Sequence, residues 1–571
     1  MKLLKKLAAE RISAAANELF APAVLSADEV LSMLEYPQDP SMGDLALPCF
    51  KLSRSLRRSP VQIAGGLAEK VADPAFSKIE AVGGYLNFFF DSASLLGRIV
   101  GTVKAEGDMY GSPRTGEGKT VVLDYSSPNV AKPFHIGHLG TTVIGHSLKL
   151  IHEFAGYKCI GINHLGDWGT QFGKLIVAYR KWGDKDAVEQ NEIDELVRLY
   201  VKFHAEAEND PALNDEARAE FTKLEHHDEE NLALWRWFIE ISLREYQKTY
   251  KMLDITFDSY NGESFYTDKM PREVQKLRDM NLLKIDDGAS VVDLDAYGMP
   301  VCLILKRDGS TLYPTRDIAA AAYRAENYGF DKCIYVTSAG QSLHFAQWFK
   351  VVELMGYDWS DKLVHVPYGT VSINGAKLAT RTGNVILLKD LFREAIEKVS
   401  AVMTEKNPAL EGRTDIAEQV GVGAIVFYYL SNNRMRDINF MMDDALNFDG
   451  NTGPYVQYTF ARASSLLEKA GAGDFTFDPS ALPSKEEGDV AKVLARFPET
   501  VESAMAEYEP SVITRYILDL CAAFNRFYHN CQILSAENEA LRQNRGALTQ
   551  AVKTVLGRAL RLICMATPEK I

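Results

Sequence analysis

Residues 121–162 read VVLDYSSPNVAKPFHIGHLGTTVIGHSLKLIHEFAGYKCIGI. Residues 121–123 are a short β-branched run, the pattern of a buried strand. From about Gly137 the apolar residues fall at helical spacing, at Leu139, Val143, Ile144, Leu148, Ile151 and Phe154, and Gly156 ends the helix. Residues 159–162 read as a second strand. Strand, loop, helix, strand is the unit of a parallel sheet. His135, Gly137 and His138 stand where the helix begins. A helix start offers unpaired N–H groups and a partial positive charge, glycine admits a bulky anion to the backbone, and imidazoles donate to phosphate oxygens. Such a site suits a triphosphate and the charge that builds up during its transfer. Taken alone, the four residues are as compatible with two ordinary histidines at a helix start.

Outward from this unit the chain divides. Upstream, a helical start runs to about Phe20, a Pro/Asp/Gly loop covers 36–48, a helix covers 60–72, and GGYLNFFFD at 83–91 alternates as a strand. The Gly/Pro/Thr cluster at 111–120 reads as a linker. Downstream, acidic helices are interrupted near 208–215 and continue through Trp235 to Met252. Strand candidates return at 290–294, 302–306, 333–337 and 363–367, with a helix over 343–355. After about Asp390 the chain reads as almost continuous helix. The expected architecture is an α/β Rossmann-like catalytic domain split by a helical insertion, with a small α/β domain before it and an α-helical domain after it. The expected boundaries are 1–112, 119–395 (insertion about 184–250), a connecting region 396–457, and 458–571.

At 571 residues the chain exceeds what one hydrophobic core usually supports. Its net charge of −14 argues against a nucleic-acid partner if read as a single number. The distribution reverses that inference. Residues 1–118 and 458–571 each carry 13 basic and 14 acidic side chains, while residues 184–230 carry 5 and 16. The acidity belongs to the insertion and reads as a solvated face, and both ends are nearly neutral. The seven cysteines are dispersed without CxxC spacing, which reads as reduced thiols rather than a zinc site. No metal site is expected. The start of the chain lacks the apolar block of a signal peptide, and no apolar stretch approaches the ~20 residues of a membrane span. A cytoplasmic location with no membrane partner is expected.

Context gives the histidine motif its meaning. The strings SSPNVAKPFHIGHL, INHLGDWGTQFGKL, LYPTRDIAAAAYR and NTGPYVQYTFARASSLL, with GDLALPCFKLSR and GGYLNFFF upstream, resemble the class I arginyl-tRNA synthetases. The resemblance runs across essentially the whole chain. It implies a Rossmann-like catalytic domain, an N-terminal domain that binds the tRNA elbow, and a helical anticodon-binding domain. It also implies a two-step reaction. The carboxylate of L-arginine attacks the α-phosphate of ATP (with Mg2+), releasing pyrophosphate, and the arginyl group then passes to the 3′-terminal ribose of tRNA(Arg), at the 2′-hydroxyl in this class. Positioning and charge stabilisation suffice for both steps. The family is mostly monomeric.

The resemblance also distributes roles. His135, Gly137 and His138 are implied to bind ATP, with the two histidines catalytic. The lysine loop that grips pyrophosphate in class I falls on residues 375–384. Its first lysine is Lys377 and its second position is the uncharged Thr380, so Lys132, three residues before His135, is expected to supply the missing cation, with Arg381 as a lesser candidate. The family often has Arg at the position of Gly140, which here carries no charge and receives no role. Asp317 is implied to face the substrate guanidinium, with Tyr313 one turn before it and Glu263 as a second carboxylate. Asn129 and Gln341 are implied to hold the amino-acid head, and His344 to lie by the adenosine. His164 is placed near the site, and Trp168 at the pocket floor. Tyr85 is expected to stack on a flipped RNA base and Asn87 to bond its edge. Arg526 and Tyr528 are expected near the anticodon.

Three rivals differ in recognisable ways. Other class I synthetases commonly carry zinc motifs or an editing insertion, and arginine is distinctive enough to need no editing. A non-synthetase nucleotidyltransferase would lack the C-terminal helices. A non-catalytic RNA-binding paralogue need not keep His135, His138, Lys377 and Asp317.

Overall fold

The computed structural model describes every residue except Ala23, Gln38, 378–385, Ala409 and 472–474, together with the side chains of all but Leu3, Pro40, Ala376 and Lys377 among the rest. The N-terminal domain holds an antiparallel sheet of β1 (Leu45–Pro48), β2 (Phe76–Val82) and β3 (Tyr85–Phe90) in the order β1-β3-β2. Gly83 and Gly84 both take positive φ, 57° and 90°, and close the two-residue hairpin between β2 and β3. Leu86 and Phe88 are fully buried beneath helix Pro60–Lys70, on which helix Lys2–Leu19 packs. Strand β1 lies in the segment that the sequence suggested was loop, because Leu45–Pro48 acquires its ladder only from β3.

Strands β4 (Thr120–Asp124) and β5 (Lys158–Ile162) flank the Leu139–Phe154 helix as the sequence pattern predicts. A separate antiparallel sheet follows, of β6 (Leu283–Asp286), β7 (Ala289–Val292) and β8 (Cys302–Leu305). The chain then re-enters the parallel sheet as β9 (Lys332–Ser338) and β10 (Leu363–Tyr368), giving the order β10-β9-β4-β5. From β4 the chain winds to one side, through β5, and later returns on the other, through β9. The crevice beyond the carboxyl ends of β4 and β9 is therefore a topological switch point, where α/β sheets bind ligands.

The insertion is four helices, Thr170–Trp182, Lys185–Asn209, Ala212–Glu225 and Glu229–Met252, around their own core of Leu196, Leu199, Phe203 and Phe238. Its acidity is partly answered from neighbouring helices, through Arg180–Glu220, Lys181–Glu216, Lys248–Glu192 and Lys389–Asp194. The C-terminal half is largely helical. An interruption the sequence pattern did not suggest is a parallel pairing of β11 (Val371–Ile373) with β13 (Ile438–Phe440), β12 (Ala376–Lys377) lying antiparallel to β11. The last helix, Glu539–Leu562, docks on the Leu139–Phe154 helix, whose Ser147 hydroxyl donates to the Leu562 carbonyl at 2.7 Å.

Candidate active site

The loop leaving β4 is held under tension. Ser126, Ser127 and Ala131 all have left-handed backbone, φ 70°, 47° and 56°, a conformation costing roughly 1–2 kcal/mol per non-glycine residue. The surroundings fix it. The Ser126 hydroxyl bonds Thr142 at 2.8 Å and Tyr250 at 2.7 Å, the Ser127 hydroxyl donates to Asp124 at 2.9 Å, and Tyr246 donates to the carbonyls of Asn129 and Lys132. Asn129 pairs through its backbone with Gly166 and is exposed.

The loop ends on His135, Gly137 and His138. His135 Nδ1 accepts the Gly137 N–H at 3.0 Å, and His138 Nδ1 accepts the His135 N–H at 3.2 Å. A backbone N–H only donates, so both Nδ1 atoms are unprotonated acceptors and each neutral ring carries its proton on Nε2. Burial pushes the His138 pKa down to about 3, with His135 adding to the shift, and burial lowers that of His135, aided by Lys132. The rings lie 4.1 Å apart, a pair of neutral Nε2–H donors at a helix start. Lys132 is exposed and makes no ion pair among the described residues.

Four carboxylates stand around the neighbouring end of the sheet. Asp124 receives Ser127 on one oxygen and Arg324, at 2.8 Å, on the other. Asp167 accepts the Ser264 N–H on one oxygen (2.8 Å) and its hydroxyl on the other (2.6 Å). Glu263 is held by Arg316 through Oε2 at 2.8 Å, and Asp317 by His344 Nε2 through Oδ2 at 2.6 Å. Among the described residues, Glu263 Oε1 and Asp317 Oδ1 are the two oxygens left over. Burial raises Glu263 to about 7 against the pull of Arg316, and Asp167 and Asp317 add to the rise. The four carboxylates and their partners Arg316, Arg324 and His344 thus form one acidic cluster, with two carboxylate oxygens open to a cation.

The structure also gives the other expected residues their surroundings. His344, expected by the adenosine, is bonded to Asp317 and so adjoins the acidic cluster. Trp168 packs edge-on against Phe221 and Trp235 and ties the loop after β5 to the insertion. His164 lies within 3.4 Å of Arg324, and burial lowers its pKa. Tyr313 is exposed beneath the Arg316 guanidinium, 5.4 Å from its ring centroid, and Gln341 is exposed at the start of the Ser342–Leu354 helix. Thr380 and Arg381 lie outside the described residues. Lys377 is described only as backbone, in β12, antiparallel to Ser372. Sequence reasoning missed Asp124, Asp167, Arg316 and Arg324. All four sit inside stretches of sequence quoted above, and only the fold shows which groups they bond.

At the two ends, Leu86, Phe88 and Phe90 face the core while Tyr85 and Phe89 are half-buried, as alternation predicts. Asn87 departs from the expectation of an open face. It is only 1% exposed, because β3 is the central strand of its sheet, and neither of its amide atoms has a partner. Arg526 and Tyr528 are exposed on the Ser511–Asn530 helix. Beside them, Arg462 lies over both Tyr528 and Tyr458, at 4.9 and 5.0 Å, an aromatic–guanidinium cluster that single-residue reading did not find.

A parallel sheet carrying two imidazole donors at its switch point, with an acidic cluster beside them, defines a Rossmann-like nucleotide-binding catalytic domain. The description "tRNA synthetases class I (R), catalytic domain" matches residues 100–442, "Arginyl tRNA synthetase N terminal domain" matches 5–90, and "DALR anticodon binding domain" matches 456–571. The chain is 51% identical to the arginine–tRNA ligase of Alkaliphilus metalliredigens over 95% of its length and 96% of the relative's. It is 50% identical to that of Clostridium perfringens over 99% and 100%. The solved structure of Thermus thermophilus arginyl-tRNA synthetase superposes with a TM-score of 0.82 at 26% identity, covering all of both chains. The chain belongs to the class I arginyl-tRNA synthetase family.

Proposed function

We propose that the chain is an arginine–tRNA ligase, with the paired Nε2–H donors of His135 and His138 as the observation that carries the chemistry. Both rings are neutral and fixed by backbone donors, so they are ready to bond the triphosphate as charge shifts onto it, without reorganising. The arginine carboxylate attacks the α-phosphorus, the bond to the β-phosphate oxygen breaks, and pyrophosphate leaves. Lys132 adds a positive charge beside both rings, and Lys377 is the second cation on the leaving group. The adenylate then passes its arginyl group to the 2′-hydroxyl of the 3′-terminal ribose of tRNA(Arg), and AMP leaves. The guanidinium of the substrate is taken by Asp317 and Glu263 through their unclaimed oxygens, with Tyr313 beside them. Asn129 and Gln341 hold the amino-acid head.

Among the described residues no three His, Cys, Asp or Glu side chains converge as a metal cage. Mg2+ is proposed to travel on the ATP phosphates and water. Tyr85 and Asn87 are proposed to meet the tRNA elbow, Asn87 once RNA binding uncovers its buried, unpartnered amide. Arg526, Tyr528, Tyr458 and Arg462 are proposed to meet the anticodon, and a monomer in the cytoplasm is the proposed working state. Charging total tRNA with each of the twenty amino acids, and measuring ATP–pyrophosphate exchange with and without tRNA, tests the reading. Ester formation with arginine alone supports it, and charging with a different amino acid rejects it.

A further inference from the structure

Within this acidic chain, residues 45–68 carry four basic side chains and no acidic one. Three of them, Arg54, Arg57 and Arg58, are exposed and form no ion pair among the described residues. The fold wraps this segment around the hairpin that carries Tyr85. At one end the Cys49 N–H donates to the Gly84 carbonyl at 3.0 Å. At the other, a Cβ on Gly84 would lie 2.9 Å from Pro60 Cβ, so the returning chain passes directly over the same turn. Arg57 is left-handed, φ 51°, and ends the short Ser53–Leu56 helix between these two anchors. Phe50, 52% exposed, meets Tyr85 edge-on at 5.8 Å between ring centroids. The segment that carries these three guanidinium groups is therefore anchored at both ends on the turn that leads into Tyr85, in a stretch, residues 1–118, whose other charged side chains are 10 basic and 14 acidic.

We infer that Arg54, Arg57 and Arg58 form a phosphate-binding collar around a base-stacking platform made of Phe50 and Tyr85. Its ligand class is a single-stranded RNA loop, with the base on the rings and the flanking phosphates on the guanidinium groups. Stacking on aromatic side chains tolerates any base, while arginine groups track the backbone and make binding salt-dependent. Arginine suits this task because its planar fork pairs bidentately with phosphate oxygens. The inference rests on the proposed elbow contact of Tyr85 and adds to it the residues that hold the backbone.

The test is aminoacylation with tRNA concentration varied over a series of KCl concentrations. It compares the unaltered protein with Arg54→Gln, Arg57→Gln and Arg58→Gln combined, and separately with Phe50→Leu. Losing three single-strand phosphate contacts should flatten the slope of log KM against log salt by about 2. The triple variant should raise the tRNA KM about tenfold or more at low salt, and the gap should close as salt rises. Phe50→Leu should raise the tRNA KM several-fold with an unchanged salt slope, because it removes stacking and no charge. In both variants the arginine KM should hold, a split that a general folding defect would not produce. A triple variant with the parent's tRNA KM and salt slope would overturn the collar. Failure of the unaltered protein to charge any tRNA with arginine would instead overturn the ligase reading on which it rests.

Discussion

Asp317→Asn is the substitution that most directly interrogates the acidic pocket. Of the four carboxylates there, Asp124 and Asp167 have both oxygens satisfied by the protein, and Glu263 is neutralised by Arg316 at 2.8 Å. Among the described residues Asp317 is held by one bond, to His344, leaving Oδ1 for a ligand. A hydrogen bond to a charged partner contributes about 1.5–3 kcal/mol. At about 1.4 kcal/mol per decade, the amide should raise the arginine KM roughly 10- to 150-fold. The substitution is isosteric and leaves His344 a carbonyl to bond, so thermal stability and the ATP KM should stay close to the parent's. The assay is steady-state charging with arginine and ATP varied separately. Equal arginine KM values in variant and parent would refute the assignment of the guanidinium to Asp317. A parallel rise in both KM values would refute the claim that the pocket is separate from the nucleotide site.

Three further outcomes follow from the same geometry. Lys132→Ala should slow ATP–pyrophosphate exchange about 10- to 100-fold with no change in thermal midpoint, since its ammonium is exposed and makes no ion pair among the described residues; unchanged exchange would sink its role. Gly140→Ala should destabilise the protein by about 1–3 kcal/mol in denaturant unfolding, because its Cβ would lie 2.1 Å from the Tyr429 hydroxyl and 3.1 Å from Tyr368. Parent-like unfolding would show that Tyr429 moves aside freely. Burial raises Glu263 to about 7, so lowering the pH through neutrality protonates it and loosens its hold on Arg316. Arginine affinity should fall as pH falls from 8 to 6, and a Glu263→Gln variant, which cannot titrate there, should lose that inflection.

Gly140 shows how far local reading reached. Its sequence context revealed only that a charge was missing after the histidine motif. The structure supplies the steric reason, since Tyr429 and Tyr368, from distant segments, fill the space a side chain would need. The sheet β4, β5, β9 and β10 was legible because each strand is a short apolar run next to a helix of clear period. β1 and β11 were not, since their strand character comes from β3, 37 to 43 residues away, and β13, 67 residues away. The same division runs through the site. His135 and His138 were legible because both lie in one contiguous motif at a helix start. The pairing of His344 with Asp317 was not, because it joins two helices whose approach depends on how they pack on the sheet.

Charge followed the same rule. The sequence by itself located the acidity in residues 184–230 and so left the two ends open to RNA. It determined the strand–helix–strand unit, the histidine motif and the family resemblance, because these depend on neighbours within a few turns of chain. Only the tertiary structure decided which carboxylates remain available to a cation, that Asn87 is buried without partners, and that a segment with three arginines free of ion pairs among the described residues is anchored at both ends on the turn before Tyr85. Availability is a property of what surrounds a group in space. Hydrogen bonds between Asp124 and Arg324, or between Cys49 and Gly84, span 200 and 35 residues of chain, and no local pattern encodes whether they close.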